Sequence, residues 1–214
     1  LHHCGIDVEA PPEVSRRCLH EVGICFLFAP QYHLGVRHAM PVRRTLGVRT
    51  IFNLLGPLAN PAFPRWQLVG IYDPHRCRVM AETLHLLGCE RALVVHGSGL
   101  DEIAVHAETQ AALLADGRVH ELFLTPEEAG IERHDLDKLL GGEPEDNARW
   151  LEMVLTGKAD PAQNDAVAIN AGALLWVCGK AGDLRSGTER ALEILKSGRA
   201  AQRLARWREV QRGA

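Results

Sequence analysis

Much of what this 214-residue sequence reveals at first lies in what it lacks. No apolar run approaches the length of a membrane span, which removes the grounds for a transmembrane helix. No basic-then-apolar leader opens the chain. Neither sign of charge dominates: 24 Lys and Arg against 27 Asp and Glu give a net charge of -3, so no basic field exists to hold a polyanion. Bulk electrostatics thus argues against nucleic acid as the main partner and leaves only a local basic pocket open. Six cysteines are scattered at positions 4, 18, 25, 77, 89 and 178, with no CxxC pair and no zinc-ligand spacing to a histidine. They read as reduced thiols of a cytoplasmic protein. Phosphate and nucleophile signatures of the GxxxxGK[ST], GxGxxG and GxSxG types are missing, as are internal repeats and low-complexity tracts.

What is present belongs to an ordinary globular chain, 46% apolar and 24% charged. It opens on Leu1-His2-His3-Cys4-Gly5, which reads as the end of a helix, so the sequence is expected to be part of a longer protein. Pro11-Pro12-Glu13 starts a helix that Gly23 ends, and a basic helix is expected from about Leu34 to Leu46. Gly47 to Pro64 is the candidate hinge, with Gly56-Pro57 and Asn60-Pro61 as turn formers. Strand and helix then alternate. Trp66 to Tyr72 reads as a strand, Asp73-Pro74 as the capped start of a helix running to Leu87-Gly88, and Ala92 to Val95 as a strand buried on both faces. Asp116-Gly117 marks a hairpin between Gln110–Leu114 and Arg118–Leu124. Helices are expected over Pro144–Leu155, Asp160–Cys178 and Asp183 to about Val210. The class is α/β: a mostly parallel central sheet with surrounding helices, preceded by the remnant of a separate helical domain.

Three segments have the composition of a site. His96-Gly97-Ser98-Gly99-Leu100-Asp101-Glu102 follows a buried strand, where ligands of parallel sheets gather. Its glycines permit a tight turn, and the adjacent acids Asp101 and Glu102 suit magnesium, a cation that prefers oxygen and is often shared with a substrate phosphate. The same pair would serve equally as a solvated acidic turn with Asp101 capping a helix. The second segment carries His33, Arg37, His38, Arg43, Arg44 and Arg49. An arginine there could bind a small carboxylate through two parallel hydrogen bonds, or the whole set could be a solvated helix face. The third, Asn53 to Pro61, is apolar yet rich in turn residues: a place for a flat ligand against backbone, or a buried hinge. The other histidines, such as His85, His106, His120 and His134, show no ligand spacing, and Trp150 and Trp176 read as core.

Val42-Arg43-Arg44-Thr45-Leu46-Gly47-Val48-Arg49-Thr50-Ile51-Phe52-Asn53-Leu54-Leu55-Gly56-Pro57-Leu58-Ala59-Asn60-Pro61 closely resembles the central motif of the anthranilate phosphoribosyltransferases. Gly23 to Pro30, Val94 to Glu102 and the helix holding Asn164, Ala168, Asn170, Ala171 and Ala173 resemble the same family, in its order along nearly the whole chain. The resemblance implies the fold of class III phosphoribosyltransferases, with a helical and an α/β domain and a cleft between. Residues 1–49 would link to a helical domain and residues 50–214 would form the α/β domain. It implies an enzyme that transfers the phosphoribosyl group of phosphoribosyl pyrophosphate to the amine of anthranilate in tryptophan biosynthesis, cytoplasmic and homodimeric, with Mg2+ as cofactor. By match of position, Arg43 would hold the anthranilate carboxylate, Ala29, His33 and Gly56 would line the aromatic-acid pocket, and Asp101 and Glu102 would bind the metal. No catalytic acid or base emerges. Two differences stand out. Leu34-Gly35-Val36 replaces the family's usual proline, alanine and large residue, and the glycine-rich donor-phosphate loop is absent from the sequence. The chain alone is therefore expected to lack turnover. Alternative readings are an enzyme like a pyrimidine nucleoside phosphorylase and a non-enzymatic paralogue that binds nucleic acid.

Overall fold

The computed structural model describes residues 1–33, Thr45 and 52–213. Helix α1 spans Pro12–Glu21 and α2 is a single turn, Ala29–Tyr32. Next come α3 (Phe52–Leu58), β1 (Trp66–Gly70), α4 (Cys77–Leu86), β2 (Arg91–His96), β3 (Thr109–Ala115) and β4 (Arg118–Leu124). The chain finishes with α5 (Pro144–Val154), α6 (Pro161–Val177), α7 (Leu184–Lys196) and α8 (Arg199–Arg212). The basic helix expected near 34–46 lies outside the described residues, apart from Thr45.

Among the described residues the sheet has four strands in the order β1-β2-β3-β4. β1 and β2 are parallel, with Val69 opposite Val94, and α4 makes the crossover between them. Both remaining pairings are antiparallel, so the expectation of a mostly parallel sheet gives way to one parallel pair and two antiparallel ones. For β4 the cause is the turn already legible in the sequence. Asp116 and Gly117 both take positive φ, 51° and 71°, the two-residue turn that folds β4 straight back onto β3.

Period-2 alternation explains why β2 is apolar throughout. Leu93 and Val95 face one cluster with Ile169, Ala173 and Val177 of α6. Ala92 and Val94 face another with Met80, Ala81 and Leu84 of α4. Helices thus cover both faces of the strand, and each face needs apolar side chains. Leu54 and Leu58, one helical turn apart, dock on the α4 side. That contact makes residues 52–58 helical where the sequence reads as turn-like, and Pro57 sits near the C-terminal end. The single helix expected from Asp183 to Val210 is two, broken where Gly198 takes φ 72°. Where α6 crosses α7, Gly172 and Gly187 meet backbone to backbone. A Cβ added at Gly172 would lie 2.4 Å from the Thr188 nitrogen, and one at Gly187 2.3 Å from the Gly172 oxygen.

The N-terminal segment packs on the last helix of the chain. Cys4, Ile6, Cys18 and Val22 share a cluster with Leu204, Trp207 and Val210 of α8. Arginines of α1 and α8 tie the two ends at main-chain oxygens: Arg17 Nη2 donates to Val210 O at 3.1 Å, Arg203 Nη1 to Val22 O, and Arg208 Nε to Cys4 O. The Gln211 side chain completes the seam, accepting from Asp7 N–H at 2.8 Å and donating to Asp7 O at 2.9 Å. All six cysteines are free thiols, with Cys4, Cys18, Cys77 and Cys89 buried and Cys25 and Cys178 half-buried. No helix among the described residues is long and apolar enough to cross a membrane.

Candidate functional site

The acidic pair sits where β2 leaves the sheet. After His96 the chain makes a four-residue turn: Gly97 N–H donates to Leu100 O at 2.9 Å and Leu100 N–H to Gly97 O at 3.2 Å. Ser98 and Gly99 at its tip take φ 49° and 102°, and the Ser98 hydroxyl donates to Glu108 O at 2.7 Å. Asp101 and Glu102 follow, both exposed, and the next three residues, Ile103, Ala104 and Val105, plunge into the core. The carboxylates therefore stand on a short bridge with both ends anchored.

Beneath that bridge lie two glycines. A Cβ on Gly70, the last residue of β1, would fall 1.5 Å from the Asp101 carbonyl oxygen, and one on Gly97 would fall 2.3 Å from the Glu102 carbonyl oxygen. Any side chain at either position would occupy the space of the acidic pair's own main chain. Gly97 belongs to the motif read from the sequence, whereas Gly70 does not. Its only signal there is a glycine closing an apolar strand run, which marks a close backbone approach.

Three further side chains pin the bridge. The His96 ring joins Ile71 O, 2.9 Å from Nδ1, to Gly99 N–H, 3.1 Å from Nε2. Ala104 N–H donates to the buried Thr109 hydroxyl at 2.9 Å. The Asn170 side chain of α6 accepts from Ile103 N–H at 2.9 Å and donates to Ile103 O at 3.1 Å.

Gly70 also lines a cavity of about 370 Å³, together with Leu27, Ala29, His33, Gly56 and Pro57. The structure thus brings Ala29, His33 and Gly56 together, from α2, its C-terminal cap and α3. Gly70 is the point where this cavity and the acidic bridge meet. Arg43 lies outside the described residues, as do Leu34, Gly35 and Val36. His134, which shows no ligand spacing in the sequence, pairs with Asp165 of α6 at 2.7 Å with little exposure, and its main-chain N–H donates to Val105 O at 2.8 Å.

Electrostatics fits a cation at the acidic pair. Burial, and then the neighbouring Asp101 charge, push the Glu102 carboxyl above its ordinary range. Much of the residue surface stays open to water, so that desolvation is partial. Two adjacent carboxylates resist sharing negative charge unless a cation is near. No group of three acidic, histidine or cysteine side chains able to enclose a metal exists among the described residues. Magnesium suits such an open pair, because it retains waters and is commonly completed by substrate phosphates.

Residues 1–201 match the family described as glycosyl transferase family, a/b domain. The anthranilate phosphoribosyltransferase of Sorangium cellulosum is 58% identical over 212 residues, covering 99% of this chain and 61% of the relative. Among solved structures, the anthranilate phosphoribosyltransferase of Thermus thermophilus superposes with a TM-score of 0.92 at 43% identity, covering 99% of this chain and 63% of that one. The Saccharomyces cerevisiae enzyme in complex with phosphoribosyl pyrophosphate and magnesium superposes with a TM-score of 0.88 at 26% identity, covering 100% of this chain and 62% of that one. The chain spans about three fifths of the length of these relatives. An α/β fold, a backbone-cradled acidic turn and a family match over residues 1–201 lead to one placement: the chain belongs to the glycosyl transferase family, in its α/β domain.

Proposed function

We propose that this chain carries the anthranilate pocket and the metal-binding carboxylates of an anthranilate phosphoribosyltransferase, a cytoplasmic homodimer that moves the phosphoribosyl group of phosphoribosyl pyrophosphate onto the amine of anthranilate. The observation that carries the reading is the junction at Gly70, where a cavity lined by Ala29, His33 and Gly56 abuts the Asp101–Glu102 bridge. A reaction that joins an aromatic acid to a pyrophosphorylated sugar needs those two subsites side by side. The similar proteins named above support it, and none of them favours the phosphorylase or nucleic-acid alternatives.

In this reading Asp101 and Glu102 would hold Mg2+, which would supply positive charge to the departing pyrophosphate. The bond from the anomeric carbon to the pyrophosphate oxygen breaks with its electron pair leaving on that oxygen. The amine nitrogen forms the new bond and afterwards gives up a proton to water or to the released pyrophosphate. Arg43 orients the nucleophile by binding its carboxylate, and the half-enclosed cavity keeps the ring against backbone and away from water. The acidic pair is tested by Asp101→Asn with Glu102→Gln in the full-length protein. Turnover should fall and its magnesium dependence shift, and unchanged metal dependence returns the pair to a solvated turn. Arg43→Ala tests the other subsite. One charge-assisted contact is worth about 1.5–3 kcal/mol, roughly ten- to hundredfold in anthranilate kcat/KM. If phosphoribosyl pyrophosphate use falls while that for anthranilate holds, the assignment of Arg43 is wrong.

A further inference from the structure

The acidic pair is held by more than its own turn. Asp101 and Glu102 are exposed, yet the peptide that follows them is clasped from across the fold. Asn170 is 67 residues away in sequence, on α6, and its amide meets both polar groups of Ile103. The same Nδ2 also donates to Ala166 O at 2.9 Å, which fixes the amide within its own helix. A donor and an acceptor used at once, with the second donor occupied, leave the side chain one orientation. At the other end, the two contacts of the His96 ring require the proton on Nδ1 and a bare Nε2. That ring ties the tip of the turn to Ile71, the residue after Gly70, and Ile71 N–H in turn donates to Val95 O at 2.9 Å. The bridge is thereby referenced to α6 on one side and to the β1–β2 pair on the other.

We propose that Asn170 and His96 are positioning residues that set the affinity of the Asp101–Glu102 pair for a divalent cation by fixing the main chain on either side of it. The inference rests on the reading of that pair as a metal site. Neither side chain touches the carboxylates in any contact given above. Both act through the peptides that carry them. Partners of this kind, one step behind the ligands, typically change metal affinity ten- to a hundredfold when removed. Asn170→Asp keeps the acceptor for Ile103 N–H but sets an oxygen against Ile103 O. His96→Phe keeps a ring of similar size and loses both tethers.

The test uses the full-length protein with Mn2+ and inorganic pyrophosphate, the free Mn2+ being read by electron paramagnetic resonance. Thermal melting and the anthranilate KM are measured beside it. Each variant should weaken Mn2+ binding by about tenfold while the anthranilate KM stays within about twofold. Should Asn170→Asp fail to fold, His96→Phe carries the test alone. Asp101→Asn with Glu102→Gln serves as the reference. If that double variant loses Mn2+ binding while Asn170→Asp and His96→Phe bind it as tightly as the unaltered protein, the positioning role is overturned and the metal site stands. If the double variant itself binds Mn2+ normally, the metal reading falls and the positioning role with it.

Discussion

Replacing Gly70 by alanine should disconnect the fold from its site. The added methyl would lie 1.5 Å from the Asp101 carbonyl oxygen, 2.3 Å from its carbon and 3.2 Å from its Cα, all main-chain atoms with no rotamer in which to retreat. To reach ordinary contact near 3.4 Å, the Asp101 peptide must recede by about 2 Å. The bridge is free to move at its exposed crest but is clasped at Gly97 and Ile103, so the displacement concentrates on the two carboxylates. Overpacking of this sort costs about 1–3 kcal/mol, tolerable for a domain with two well-filled faces on its sheet. A binding constellation, by contrast, works within about 0.5 Å, so a shift of this size should remove metal-dependent turnover almost entirely. The assay pairs circular-dichroism melting with turnover of the full-length protein across a magnesium titration. A cooperative melt a few degrees lower, with turnover reduced at least a hundredfold, is the expected result. A Gly70→Ala protein with normal turnover and normal magnesium response would refute the argument, because the acidic bridge could not then lie where the structure puts it.

Other perturbations follow from the same contacts. Gly172→Ala and Gly187→Ala each drive a methyl into the facing helix backbone and should cost about 3 kcal/mol, seen as a lower midpoint in urea. They act on one crossing, so the double variant should fall short of the sum. Cys77, whose thiol is pushed up to about 11 by burial and then by the charges of Asp73 and Glu121, should react with iodoacetamide at pH 8 about a hundredfold more slowly than an ordinary cysteine, measured by peptide mass spectrometry. Asp183 caps α7, accepting from Ser186 N–H at 2.8 Å and from its hydroxyl at 2.7 Å, and these bonds hold its carboxyl below the usual range. A depressed carboxyl stabilises the fold above its unfolded value and loses that contribution as pH falls through the folded one. Asp183→Ala should therefore lower the Tm at neutral pH and have a vanishing effect below the ordinary aspartate range, as followed by melting at stepped pH.

The sequence was most legible where one physical cause dominated. Ala92 to Val95 had to be apolar because both faces of β2 are covered, and Asp116-Gly117 had to turn because both residues take positive φ. The acidic pair drew attention by its place after a buried strand, the trio Ala29, His33 and Gly56 was assigned through family resemblance, and the structure gathers the trio around one cavity. Gly70 escaped notice because its neighbour, Asp101, is 31 positions along the chain, and no local pattern records a contact of that range. Asn170 stood in plain view on an apolar helix, but its partner is the main chain of Ile103, which carries no side-chain signature. The direction of β3 against β2 was misjudged for a related reason. The apolar runs show burial on two faces, which α4 and α6 supply whatever the polarity of the neighbouring strands.

The seam between α1 and α8 bears on how the chain reaches this structure. Arg208 reaches Cys4 and Gln211 reaches Asp7 across 204 positions of sequence, so the loop closed by these contacts is almost the whole chain. Closing it cannot begin until Arg199–Arg212 has been synthesised, whereas the β3–β4 hairpin and the β1–α4–β2 unit need only local encounters. The segment from Leu1 to Val22 is made about 180 residues before the α8 helix it packs on. Until then its Cys4, Ile6, Cys18 and Val22 remain uncovered by α8, and this is the interval in which the nascent chain is most exposed to misassociation.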